Sequence, residues 1–141
     1  MFFGSYEHNL DDKHRLVIPR KMREELGTKC YIMKGYDGAL SLFHESAFQK
    51  LVEELEKLPL NKKNARDYLR IQLASTCELE MDKMGRVQLP ASLLTKYHIG
   101  KEVVIIGMGS HIEVWNKADY EKYEAEAVDK FDDIAENLQE E

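Results

Sequence analysis

The chain reads DDKHRLVIP at residues 11–19, and the same pattern returns as DKMGRVQLP at residues 82–90. Each stretch has an aspartate, three variable residues, an arginine, two apolar residues around one variable position, and a proline. The similarity continues downstream at three further pairs of positions, namely Gly27 and Gly100, Gly35 and Gly107, and Phe48 and Tyr120. Segments this short rarely bury a core alone. The sequence therefore predicts two halves of one pseudo-symmetric body.

The charge of the chain is distributed unevenly. The 141 residues carry a formal charge of −6 and suit one compact body over residues 1–141. Residues 118–141 hold ten acidic residues against two lysines, so that segment carries −8 and residues 1–117 carry +2. Because local fields govern binding more than totals do, an acidic tail on a mildly basic body is compatible with a nucleic-acid partner.

The sequence lacks the motifs of several enzyme and metal-site classes. Cys30 and Cys77 form no Cys-x-x-Cys pair, and the five histidines lack zinc-binding spacing. There is no Gly-x-Ser-x-Gly motif and no phosphate-binding loop ending in Gly-Lys-Ser/Thr. No apolar run approaches the roughly 18–20 residues of a membrane span. We therefore expect a cytoplasmic, non-enzymatic protein with no metal, no cofactor and no membrane partner.

Local patterns predict the same order of elements in both halves: strand, turn, strand, short helix, strand, strand. Alternation of apolar and acidic residues, clearest at residues 77–81, is typical of half-buried strands. Proline suits the first turn of each short helix, and Gly27 and Gly100 are natural exits. Strands are predicted at 5–10, 16–18, 30–34, 39–43, 77–81, 87–89, 102–106 and 112–115, and short helices at 20–26 and 91–97.

Longer helices are predicted where apolar residues recur at helical spacing. They cover residues 45–58, a segment capped by Asn61 that runs to about residue 76, and a final segment from Lys117 whose last ten residues are expected to fray. The expected class is α+β. The predicted parts are a first unit at 5–50, a helical linker at 51–76, a second unit at 77–120 and an acidic C-terminal helix or tail at 121–141.

The two Asp-x-x-x-Arg turns carry the candidate binding residues. Arginine donates in pairs to a phosphate or to the O6/N7 edge of guanine, and a two-stranded ribbon fits the major groove. Asp11 and Asp82 have the wrong sign to touch phosphate, so we expect them to orient the arginines or accept backbone N–H groups. The predicted DNA-binding residues are Lys13, His14, Arg15, Arg20, Lys21, Lys83 and Arg86.

Two basic segments outside the turns leave alternatives open. Arg20, Lys21 and Arg23 extend the basic face of the first turn, which is therefore expected to contribute more than the second. For these three residues, a solvated helix face is an equal alternative. Lys62, Lys63, Arg66 and Arg70 fall on one helical face, which favours a solvated or subunit-pairing role over phosphate contact.

The residues that carry a family resemblance are the N-terminal MFFG, the RLVIP run at 15–19, the GRVQLP run at 85–90, and the two Asp-x-x-x-Arg turns 71 residues apart. With these features the chain resembles the MraZ family of bacterial transcriptional regulators, which is related to the AbrB group. The resemblance implies a pseudo-two-fold pair of AbrB-like swapped-hairpin units and a ring homo-oligomer, an octamer or a dodecamer. It also implies a nucleoid location and binding to repeated boxes upstream of the division and cell-wall gene cluster.

Two simpler interpretations compete with DNA binding. In the first, each Asp–Arg pair serves only to hold its hairpin, since surface ion pairs are common and contribute only about 0–1 kcal/mol. Alternatively, the body is a protein-interaction and assembly module without direct DNA contact. Apolar residues at the turn tips would favour that second interpretation, and Met84 is the one such residue.

Overall fold

The computed structural model describes residues 1–140, which form eight strands and six helices. The strands are β1 (Ser5–Asn9), β2 (Arg15–Val17), β3 (Lys29–Lys34), β4 (Leu40–His44), β5 (Cys77–Glu80), β6 (Arg86–Gln88), β7 (Glu102–Gly107) and β8 (Ile112–Asn116). The helices are α1 (Arg20–Leu26), α2 (Glu45–Glu56), α3 (Lys63–Ala74), α4 (Ala91–Lys96), α5 (Lys117–Asp129) and α6 (Phe131–Glu140). The predicted α+β class is confirmed.

The strands form a six-stranded antiparallel sheet and a separate two-stranded ribbon. The sheet order is β1-β7-β8-β4-β3-β5, and β2 pairs with β6 to make the ribbon. Strand β1 of the first repeat pairs with β7 of the second, where Tyr6 lies opposite Ile105. Strand β5 of the second repeat pairs with β3 of the first, where Cys30 lies opposite Leu79. The first strand of each repeat therefore pairs with a strand of the other repeat within the shared sheet.

A pseudo-two-fold axis passes through the ribbon and relates the two repeats. Leu16 lies opposite Val87 at its centre, and both side chains are fully buried. Reciprocal backbone bonds flank this pair, from Ile18 N–H to the carbonyl of Gly85 and from Leu89 N–H to the carbonyl of His14, each 2.9 Å long. The ribbon thus fastens the repeats to each other through matched bonds on both sides of the axis.

The core lies between the sheet, the inner face of the ribbon and the short helices. Helices α1 and α4 each follow a proline, at Pro19 and Pro90, and each buries two apolar side chains. These side chains join one continuous cluster that also holds Leu16, Ile18, Ile32, Leu42, Val87, Leu89, Val103, Ile105 and Ile112. Two short repeats share this core because neither has enough apolar residues to enclose one alone.

Several predicted helix ends differ from the structure. Gly27 caps the end of α1 with φ +78°, as predicted, but the C-cap of α4 is Tyr97 and His98 takes the left-handed conformation, so Gly100 is not the exit. Lys62, not Asn61, occupies the N-cap of α3, and no side chain bonds the free amides there. The backbone of Lys62 is extended, so the helix begins one residue later than an Asn61 cap requires.

The C-terminal segment is two helices instead of one. Helix α5 ends at Asp129, because its C-cap Lys130 has a ψ of 9° and leaves the helical conformation, and α6 follows directly. Residues 132–140, which were predicted to fray, are helical, and the same prediction for residue 141 lies outside the described residues. None of the helices within residues 1–140 is long and apolar enough to cross a membrane.

Candidate nucleic-acid interface

The two Asp-x-x-x-Arg turns, Asp11–Arg15 (the first turn) and Asp82–Arg86 (the second turn), have the same internal bonding. In the first turn, one oxygen of the Asp11 carboxylate accepts the backbone N–H groups of Lys13 and Arg15, both at 2.9 Å. The other oxygen accepts Nε of Arg15 at 2.6 Å. A backbone bond of 2.9 Å from His14 N–H to the carbonyl of Asp11 closes the turn.

The second turn repeats every one of these bonds. The Asp82 carboxylate accepts the N–H groups of Met84 and Arg86 at 2.9 Å and Nε of Arg86 at 2.8 Å. Gly85 N–H donates to the carbonyl of Asp82 at 3.0 Å. In both turns the aspartate shapes the backbone and holds the arginine stem, so one carboxylate performs both of the roles that the sequence left as alternatives.

These bonds favour the ionised form of both aspartates. The backbone N–H of Arg15 is the main cause that lowers the pKa of Asp11 to about 2. Burial opposes this shift, and the guanidinium of Arg15 and the N–H of Lys13 add to it. The backbone N–H of Arg86 is likewise the main cause of the lowered pKa of Asp82. Both turns therefore keep their Asp–Arg pairs at neutral pH.

The fourth residue of each turn takes a left-handed backbone conformation. Gly85 has φ +77° and His14 has φ +61°. Glycine reaches this region without steric cost, whereas histidine reaches it less often. Both turns therefore use a left-handed residue at this position, which is glycine in the second turn and histidine in the first.

The two arginines lie on one outer face of the ribbon. Arg15 is opposite Gln88 and Val17 is opposite Arg86, while Leu16 between them points into the core. Because side chains alternate along a strand, Arg15 and Arg86 are diagonal neighbours. This arrangement places their Cα atoms roughly 7–8 Å apart. Their side chains are 30% and 22% exposed, respectively.

Each guanidinium retains unused donors on this face. Nε of Arg15 and Nε of Arg86 are engaged by the aspartates. Within residues 1–140 the terminal nitrogens of neither arginine donate a hydrogen bond to the protein. The aspartates therefore orient both arginines through Nε, and the terminal nitrogens remain able to bind an anion or a base edge. Lys13 and Lys83 are exposed in the adjoining turn positions.

Each short helix lies beside the turn of the other repeat and not beside the turn of its own repeat. Helix α1 is at the second turn, because Nε of Arg23 donates to the carbonyl of Ile18 at 2.9 Å and its guanidinium covers Gly85. Helix α4 is at the first turn, where a cavity of about 400 Å³ lies between Asp11 and His14 on one side and Leu94 on the other.

The prediction that Arg20, Lys21 and Arg23 extend the face of the first turn is therefore wrong. The physical reason is the interlocking of the repeats: β2 runs antiparallel to β6, so its end and the start of α1 reach the second turn. The cations of α1 belong with Lys83 and Arg86. The expectation that the first turn contributes more to binding consequently loses its basis.

The basic residues of α3 make contacts of their own, away from the paired turns. Lys63 Nζ lies 2.7 Å from the Asp67 carboxylate, and Arg66 donates to the carbonyl of Leu60 at 2.9 Å.

Burial raises the pKa of the Cys30 thiol to about 12, and neither cysteine forms a disulfide. In the part of the chain that the structure describes, no three His, Cys, Asp or Glu side chains are grouped to hold a metal ion.

Comparison with known proteins places this geometry in a family. The family model described as "MraZ protein, putative antitoxin-like" matches residues 1–71 and again residues 73–141, which confirms the internal repeat. A protein of Pediococcus pentosaceus named "Transcriptional regulator MraZ" is 41% identical over 98% of this chain and 96% of its own length. Proteins of the same name from Lactiplantibacillus plantarum, 42% identical over 98% of both chains, and from Mesoplasma florum, 40% identical over 98% of this chain and 95% of its own length, are similar. The chain belongs to the MraZ family.

Proposed function

We propose that this chain is a DNA-binding transcriptional regulator and that the outer face of the ribbon is its DNA-binding surface. The observation that carries the proposal is the position of Arg15 and Arg86, which share one accessible face while Asp11 and Asp82 fix their stems. The name of the relatives, transcriptional regulator, supports the same function. No enzymatic step, metal or cofactor is part of the proposal.

The chemistry of the face suits a major groove. The groove is about 12 Å wide and admits a two-stranded ribbon. The two arginines would bind phosphate or guanine edges, together with Lys13 and His14 of the first turn and Lys83 of the second. Arg20 and Lys21 are exposed on α1 next to the second turn and would contact the flanking backbone.

Family membership supports more specific proposals. We take the exchange of β1 and β5 between the repeats to be the AbrB-like swapped-hairpin arrangement. The DNA partner would be the repeated boxes upstream of the division and cell-wall gene cluster, with boxes about one helical turn, or about 10–10.5 bp, apart. A regulator of those genes would act in the cytoplasm at the nucleoid.

A ring homo-oligomer, an octamer or a dodecamer, would present many turns at once. One small basic face makes few contacts, and linkage of several faces raises avidity by up to about 10²–10⁴-fold where geometry permits. The C-terminal helix offers a surface for this assembly, because Phe131 and Leu138 are each 67% exposed on one face of α6, and Asp132 and Asp133 make its first turn acidic. The exposed face of α3 has the complementary chemistry, with basic side chains beside an exposed Ile71.

We propose that α6 of one copy packs on α3 of the next, which is the head-to-tail contact that a ring requires. Light scattering after size exclusion tests this contact. Reversal of the α6 charges with D132K and D133K should yield monomers, and so should K63E with R70E on α3. The mixture of the two reversed proteins should assemble into alternating oligomers. A wild-type monomer would contradict the ring, and a mixture that stays monomeric would contradict this pair of surfaces.

The DNA proposal is tested by fluorescence anisotropy on a labelled duplex from the region upstream of the chain's own gene. Wild-type protein should bind it more tightly than a shuffled duplex of equal composition. The double variant R15A/R86A should lose most of that affinity. Equal affinity of wild type and double variant would remove the ribbon face from the function.

The second candidate is a protein-interaction and assembly module without DNA contact. It is favoured by Met84, which is 65% exposed at the tip of the second turn. M84S separates the two functions: the module requires loss of partner capture, whereas the DNA regulator requires unchanged affinity for the upstream duplex.

A further inference from the structure

The two turns differ at each of their three variable positions, and the difference at the fourth position of the turn is matched by a difference in the helix beside it. Gly85 of the second turn corresponds to His14 of the first, 71 residues earlier. The helix residue beside the second turn is Arg23, and its counterpart beside the first turn is Leu94, also 71 residues away. The turn with a glycine therefore faces an arginine, and the turn with a histidine faces a leucine.

Arg23 fills the space that a side chain at Gly85 would need. A Cβ on Gly85 would overlap Nε, Cζ and Cδ of Arg23. The guanidinium is anchored there by its 2.9 Å bond to the carbonyl of Ile18. Ile18 N–H in turn donates to the carbonyl of Gly85 at 2.9 Å. Gly85 is consequently held from one side by the backbone of Ile18 and covered by Arg23, so it is buried although it belongs to a turn.

The first turn has the equivalent backbone bond, from Leu89 N–H to the carbonyl of His14, and a bond of 3.0 Å from Nε2 of Gln88 to the carbonyl of Lys13, but no guanidinium covers its left-handed residue. His14 is exposed, Leu94 is buried in the core, and the cavity of about 400 Å³ lies between them. Its left-handed residue therefore has free space on the side where the second turn has a guanidinium.

We propose that Arg23 is a positioning residue for the second turn, which it locks across the repeats so that Arg86 is presented in one fixed orientation. The inference rests on the proposed DNA-binding function. The first turn, which lacks this lock, adapts to its DNA contact, and the second docks as a preformed element. A preformed contact pays less ordering entropy on binding. Because of the Arg23–Gly85 pair, the two chemically similar turns then differ in how they bind DNA.

A charge effect alone would give a different result from positioning. Lysine at position 23 keeps the positive charge but has neither the planar guanidinium nor the Nε–H that bonds Ile18. If Arg23 only adds charge, R23K should behave like wild type. If it positions the turn, R23K should fail almost as completely as R23L.

Hydrogen exchange detected by mass spectrometry gives a readout that does not need DNA. We expect R23K and R23L to accelerate amide exchange in peptides that cover residues 82–86 and to leave those covering residues 11–15 unchanged. Affinity for the upstream duplex should fall about fivefold, the equivalent of one ordinary hydrogen bond. The matched control is K50L, which removes an exposed cation from α2 and should change neither quantity.

The strongest test transplants the pair of the first repeat into the second. G85H alone should expel Arg23 and accelerate exchange at residues 82–86, whereas R23L/G85H recreates the His–Leu pair and should recover most of the affinity that G85H loses. Wild-type exchange at 82–86 in R23K, or a fall in its affinity without faster exchange there, would overturn the proposal. If wild-type protein fails to bind the duplex, the proposed function fails, but the exchange result still decides the role of Arg23.

Discussion

Replacement of Arg15 and Arg86 by alanine should change the salt dependence of DNA binding by a predictable amount. Each cation that contacts a phosphate contributes about 0.9 to the slope of log affinity against log salt concentration. Loss of both should therefore reduce the slope by about 1.8 for each bound protomer. Between 50 and 200 mM salt, that reduction corresponds to about a 12-fold smaller loss of affinity than in wild type. Asp11 and Asp82 keep their backbone donors in these variants, so the turns keep their shape.

The assay is an anisotropy titration of the upstream duplex at 50, 100 and 200 mM salt for wild type, R15A, R86A and the double variant. The single variants should each reduce the slope by about half as much as the double variant if, as proposed, each arginine contacts a phosphate of its own. K50A, which removes an exposed lysine of α2, is the control for loss of charge alone. A double variant with the wild-type slope, or one that matches K50A, would refute the assignment of these arginines to the DNA.

Three further predictions concern the fold. L16A empties the centre of the ribbon and should cost about 2–5 kcal/mol, or about 4–20 °C of thermal midpoint, whereas the exposed control E24A should stay within about 0.5 kcal/mol. Because the pKa of Asp11 is lowered from 3.8 to about 2, the stabilisation that its charge provides is complete above about pH 4 and is lost as pH falls toward 2. D11N should flatten the dependence of stability on pH in that window. Urea titrations from pH 5 to pH 2 measure this dependence, and an equally steep loss of stability in D11N and wild type would contradict the prediction. H14G relieves a left-handed histidine and should raise the urea midpoint by the equivalent of about 0.5–1 kcal/mol, so a lower midpoint would show that the His14 side chain stabilises its turn.

Local patterns predict much of this fold because their causes are local. The Asp–Arg bonds of each turn span four residues, and the alternation at Cys77–Glu80 shows which side chains are buried whichever strand is the neighbour. The α+β class and the family follow from the same short segments. The break at Lys130 is different, because no glycine or proline marks it in the sequence.

Strand partners are harder to predict because the two repeats compete for them. Strand Ser5–Asn9 has two possible partners with similar sequence patterns, Lys29–Lys34 in its own repeat and Glu102–Gly107 in the second. Only the packing of the core selects Glu102–Gly107. The wrong prediction that Arg20 and Lys21 lie beside the first turn follows from this ambiguity. A helix of the first repeat reaches the second turn only when the repeats interlock. Gly85 was a detectable signal for that contact, because a glycine beside an arginine-bearing turn also permits close approach by another side chain.

Lysine footprinting of the protein with and without the upstream duplex tests the central claim most directly. Lys13 and Lys83 are exposed beside the two arginines, and Lys50 on α2 is an exposed internal reference. If the ribbon face grips DNA, acylation of Lys13 and Lys83 should fall together when duplex is added, while Lys50 reacts as before. Undiminished acylation of both turn lysines under conditions where the duplex is bound, with protection at Lys62 instead, would show that the protein holds DNA by a different surface.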